Sequence, residues 1–96
     1  MNEHSTPVTL SKAERAILDF CAAKARGADA PLVSLSDVLD HFYPDGERPA
    51  HAPSAMARRL RVLNLKGIAL GIPHPVRVSK VGRGNRAIYE WRGEPG

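Results

Sequence analysis

Apolar positions along the chain change period three times, and each change marks an element. Between Ser11 and Gly27, Ala13, Ile17, Phe20, Cys21 and Ala25 recur at helical spacing, with Leu18 and Ala22 widening the stripe. Ser11 and Glu14 stand at the S-x-x-E spacing of a capping box. The hydroxyl can accept from the Glu14 amide while the carboxylate reaches back. A helix is expected there, stopped by Gly27. Leu32 to Leu35 is short, apolar and partly β-branched, which predicts a brief strand. Ser36 is then placed to cap a second helix over Asp37–Tyr43, whose inner side is Val38, Leu39 and Phe42. Pro44-Asp45-Gly46 is a strong stop, and the proline-rich segment to Pro53 carries no period.

Pro53 to Gly67 is the most informative stretch. Met56, Leu60 and Leu63 lie at i, i+4 and i+7, and Gly67 completes the row. The spacing predicts a helix over Ser54–Lys66, with Ser54 as cap and Gly67 as the left-handed residue beyond its end. Its opposite side carries Ser54, Arg58 and Arg61, flanked by Ala55, Arg59 and Val62. Beyond Gly67 the period shortens. Ile68 to Ile72 is a short apolar piece, and Pro73-His74-Pro75 cannot sit in a central strand. Val76–Val81 and Arg86–Trp91 alternate, the latter with Ala87, Tyr89 and Trp91 on one side. They flank the glycine-punctuated tip Gly82-Arg83-Gly84-Asn85 and so predict a β-hairpin. The expected organisation is one domain over 10–92, with a loose N-terminus at 1–9 and a tail at 93–96.

Charge sharpens this picture. The total is +4, but it is unevenly placed. Residues 1–45 hold four basic side chains against seven acidic, and residues 46–96 hold ten against three. One electropositive surface, suited to a polyanion, is the expectation. Ninety-six residues with 43% hydrophobic content allow one modest core, which argues against a large enclosed active site. The single cysteine, Cys21, excludes an internal disulfide, fits a reducing cytoplasm and reads as a small buried hydrophobe. The N-terminus has neither a basic n-region nor an apolar h-region, and no apolar run is long enough to span a bilayer.

An enzyme finds little support. His4, His41, His51 and His74 are scattered, with no metal spacing among them or with Cys21. No nucleophile motif of the G-x-S-x-G type exists. Gly82-x-Gly84-x-x-Ala87 superficially matches a dinucleotide fingerprint but precedes a strand, without the βαβ context that gives the motif meaning.

The order helix, short strand, helix, turn, helix, hairpin resembles a winged helix-turn-helix domain of the compact prokaryotic kind, over roughly Leu10 to Arg92. M-x-x-x-L-x-x-L-x-x-x-G-I from Met56 to Ile68 is similar to a recognition helix running into its first wing strand. K-V-G-R-G-N-R-A-I-Y-E-W from Lys80 to Trp91 is similar to a wing. The segment Pro44–Pro53 is longer than the usual helix-turn-helix turn, and its Arg48 and His51 make it a candidate contact loop. The resemblance implies an α+β fold of three helices with a C-terminal β-hairpin wing. It implies a small cytoplasmic transcriptional regulator that binds double-stranded DNA, without a cofactor or a small-molecule substrate.

On that footing Ser54, Ala55, Arg58, Arg59 and Arg61 face a major groove, where arginine can pair bidentately with guanine. Arg77 and Lys80 contact phosphates, while Arg83, Asn85 and Arg86 at the wing tip reach phosphates or a minor groove. Dimerisation on a paired half-site is expected, through the N-terminal helix or through Tyr89 and Trp91, with Trp91 as a plain core residue the equal alternative. Plainer readings stand beside these. The arginines can be a solvated helix face, Arg59 can pack its stem on the core, and the wing tip can be an ordinary hairpin loop. The competing function is a winged-helix module for a protein partner or RNA.

Overall fold

The structure, a computed structural model, describes residues 7–27, 31–47, 49–78 and 87–93. Among them the fold is α+β, with three helices and a three-stranded antiparallel sheet. The order is α1 (Lys12–Arg26), β1 (Leu32–Ser34), α2 (Leu35–Phe42), α3 (Ala52–Leu70), β2 (His74–Arg77) and β3 (Ile88–Arg92).

Helix α1 begins as its sequence predicts. Ser11 Oγ accepts from the Glu14 amide at 3.1 Å, and the Ser11 amide donates to the Glu14 carboxylate at 2.8 Å. Ile17, Leu18, Cys21, Ala22 and Ala25 are buried, and Phe20 is half-buried. Ala13, expected on this face, is exposed. It lies in the first turn, where little core exists to cover it. Phe20 stacks on His41 of α2 with ring centroids 4.3 Å apart and meets Phe42 edge-on.

Helix α2 starts two residues earlier than the Ser36 cap predicts. Ser34 is both the last residue of β1 and the cap, its hydroxyl accepting from the Asp37 amide at 3.0 Å. Leu35, expected in the strand, is instead the first helical residue. It is fully buried, and its amide donates to the Ala87 carbonyl at 2.9 Å. Strand and helix therefore abut without a linker, because burial of Leu35 outweighs the second serine's claim to the cap.

Helix α3 is longer at both ends than expected. His51 occupies the cap position without a side-chain bond, and Ala52 and Pro53 open the helix. Ser54 is thus an exposed helical residue and caps nothing. At the other end the helix runs through Gly67 to Leu70, absorbing most of the Ile68–Ile72 piece. Gly71, at φ 67, is the left-handed terminator, its amide donating to Gly67 and Ile68 carbonyls. Gly67 is instead a site of close approach. A methyl there would lie 2.3 Å from His74 Cβ, so only glycine lets β2 pack so tightly on α3.

Strand β3 lies in the middle of the sheet, with β1 on one side and β2 on the other. Val33 pairs with Tyr89, and Pro75 with Trp91. The edge position of β2 explains how Pro75 can sit in a strand at all, since its missing amide faces no neighbour. The strand also starts earlier than Val76, at His74. Ala87, Tyr89 and Trp91 point into the core, which also takes Leu39, Met56, Leu60 and Leu63. Their burial removes Tyr89 and Trp91 as the exposed dimer contact the sequence suggested.

Candidate functional site

The outer side of α3 and the adjoining edge strand β2 form the chief cationic surface among the described residues. Helix α3 carries Arg58, Arg59, Arg61 and Lys66 and no acidic residue. Met56, Leu60, Leu63 and Gly67 fix its inward row, so the 3.6-residue period turns Ser54, Arg58, Arg61 and Leu65 outward. Ser54, Ala55, Arg58, Arg59 and Arg61 are all exposed. Among the described residues, Arg58, Arg59 and Arg61 make no ion pair.

Between α3 and β2 runs an open groove of about 480 Å³. Arg58 and Arg61 line it from the helix and Arg77 from the strand. Its floor is Ala57, Leu60, Pro75, Val76 and Tyr89. Asn64 ties the two walls together by donating from Nδ2 to the Pro75 carbonyl at 3.2 Å. Burial pushes the Tyr89 phenol above its ordinary pKa, against a smaller opposing pull from Arg77, so it is a neutral hydroxyl at physiological pH. Three guanidinium groups around an apolar floor can hold anionic groups while flat, uncharged moieties rest between them.

Arg59 is exposed and does not line the main groove. It sits on the α1 side, in a shallow depression with Ser11, Glu14, Arg58 and Val62. Lys66 ties α3 to α1 and to the segment before it, bonding the Glu14 carboxylate at 2.8 Å and the Thr9 carbonyl at 2.9 Å. That ion pair holds the Glu14 carboxyl below its ordinary value.

Lys80, Arg83, Asn85 and Arg86 of the expected wing lie outside the described residues, as does Arg48. His51, the other contact candidate of that loop, is exposed at the start of α3. Sequence reasoning missed Asn64 and Lys66 as the struts that hold α3 against β2 and α1. Nothing in their spacing marks them, because both partners are distant in the chain. It also passed over Leu65 and set Ile68 beyond the helix, whereas both are large apolar side chains of α3 that its period turns outward. They are 61% and 62% exposed. Among the described residues no group of three or more His, Cys, Asp or Glu side chains could hold a metal, and no helix is long and apolar enough to cross a membrane.

In comparisons with known proteins, no family model, no curated protein and no solved structure matches the chain.

Proposed function

We propose that this protein is a winged helix-turn-helix DNA-binding protein, a small cytoplasmic transcriptional regulator whose α3 enters the major groove. The observation that carries the reading is the meeting of Arg58, Arg61 and Arg77 around one groove beside an acid-free helix. The element order supports it, since a strand between the first two helices pairs with the last strand of a C-terminal pair. The first turn of α3 holds no acidic residue, so the positive end of the helix dipole stays uncompensated at the end that would meet the bases.

Ser54 and Arg58 stand on the outward side of the N-terminal half of α3, where side chains of a recognition helix meet base edges. Arg61 and Arg77 flank the groove toward β2 and suit a phosphodiester strand running between helix and wing. Arg59, on the far flank, would contact the opposite backbone. Lys80, Arg83, Asn85 and Arg86 would extend the phosphate or minor-groove contact. Exposed Leu65 and Ile68 favour a second reading, in which the same fold docks a protein.

The test is fluorescence anisotropy on random duplex DNA across a salt series, followed by site selection. The parent protein should bind with affinity that falls steeply as salt rises. R58A should relax base preference at one position, costing about 1–3 kcal/mol there. R77A should weaken binding evenly across sequences and reduce the salt slope by about one. If R58A, R61A and R77A combined leave duplex binding intact, the proposal is wrong.

A further inference from the structure

The outward side of α3 changes character along its length. Its N-terminal half shows Ser54, Arg58 and Arg61. Its C-terminal half shows Val62, Leu65, Ile68 and Ala69, all exposed and all apolar. Leu65 and Ile68 continue the line of Arg58 and Arg61 at helical spacing. No nucleic acid needs two large aliphatic side chains at the trailing end of a helix whose leading end is cationic. The core does not need them either, because Met56, Leu60 and Leu63 are the large side chains that α3 buries.

We propose that this half of α3 is a self-association surface, occupied by the same half of α3 from a second copy running antiparallel. Two features of the helix select that occupant. First, the patch is free of charge, so two copies can meet across it without repulsion. In a two-fold arrangement Leu65 of each copy rests on Ile68 of the other, as an isologous contact requires. Second, the last turn of α3 holds no basic residue to offset its negative carbonyl end. With Leu65 set against Ile68, the antiparallel register brings Arg61 of each copy to the Gly71 terminus of the other. The cation missing from that terminus is thus supplied in trans. A parallel pairing would instead set the cationic halves against one another.

The arrangement does not depend on the DNA reading. Where that reading also holds, dimer and duplex draw on the same outward side of α3 and exclude each other.

Sedimentation velocity on the full chain, without nucleic acid, tests the proposal over a range up to about 0.5 mM. The parent should show a concentration-dependent dimer. L65E and I68K should each raise the dissociation constant at least about tenfold, since each dimer loses two buried aliphatic contacts. Both sites are exposed in the single chain, so circular dichroism, and Tm at concentrations where the parent is monomeric, should stay at parent values. Mixing L65E with I68K should restore a dimer, because one contact then sets a carboxylate against an ammonium and the other keeps the parent pair. R61A should weaken the dimer without abolishing it. A parent that is monomeric throughout overturns the proposal, as does a dimer that survives L65E and I68K or a mixture that stays monomeric. Because no DNA is present, any of these results leaves the duplex assay to be judged separately.

Discussion

Replacing Gly67 by alanine separates two physical arguments that point in opposite directions. Helix propensity alone says that G67A stabilises by about 1 kcal/mol, because glycine is the costliest ordinary residue in a helix interior. Packing says the reverse. The new methyl would stand 2.3 Å from His74 Cβ, 2.6 Å from Cγ and 2.8 Å from Nδ1. The nearest of these atoms is bonded directly to the β2 backbone, so a rotamer change cannot move it away. The His74 ring is also held, its Nδ1 lying 2.7 Å from the Ile72 carbonyl. Overpacking of this kind costs about 1–3 kcal/mol, and a contact this short belongs at the upper end. The net expectation is a loss of about 1–2 kcal/mol. At a urea m-value of about 1–2 kcal/mol per molar, the midpoint should fall by roughly 1 M.

Two further variants show whether the mechanism is right. H74A removes Cγ and Nδ1 but keeps the nearest atom, Cβ, so G67A/H74A should recover less of the loss than G67A/H74G in a double-mutant cycle. G71A is the contrasting control. It meets nothing within 4 Å, and its cost, about 1 kcal/mol, comes from the left-handed backbone alone. A G67A midpoint at or above the parent value would refute the packing argument, since that is what propensity alone predicts.

Other outcomes follow from particular contacts. The Glu14 carboxyl is held below 4.5 by Lys66 and the Ser11 amide. A depressed carboxylate adds stability above its unfolded pKa and loses it as pH falls through the folded value. Urea unfolding of the parent should therefore weaken on the acid side of 4.5, and K66M should flatten that limb. Burial pushes the Cys21 thiol up to about 12, so a thiol reagent should label the native protein only as fast as the core opens, and in urea at once. S34A should cost about 1 kcal/mol through the lost α2 cap, whereas S36A should leave the urea midpoint near the parent value.

The sequence made some parts of this molecule legible and hid others for identifiable reasons. Local signals held: the Ser11–Glu14 box starts α1, and the alternation of Ala87, Tyr89 and Trp91 chooses the buried side of β3. Glycine was where the reading failed. Gly67 follows three core residues in register and looks like a helix stop, yet a stop and a close approach both require a missing side chain. Only the distant His74 decides between them. Ser34 and Ser36 pose the same problem, since either hydroxyl can cap and the choice rests on how deeply Leu35 is drawn inward. For the site, the outward placement of Arg58 and Arg61 followed from helical period. Their joining with Arg77 required the packing of β2 on α3, which the pattern of a single strand does not encode.

Strand β3 is the last of the three in the chain and the middle one in space. Its carbonyls and amides serve β1, laid down more than half a chain length earlier, as well as β2. A growing polypeptide that has reached only Arg77 holds all three helical segments but has two orphan strand edges and no partner for either. Assembly of the sheet must wait for residues 88–92, which then close both ladders in one event. Helix formation should run ahead of sheet formation by a wide margin, and the interval between them is when this chain is most exposed to pairing with a neighbour.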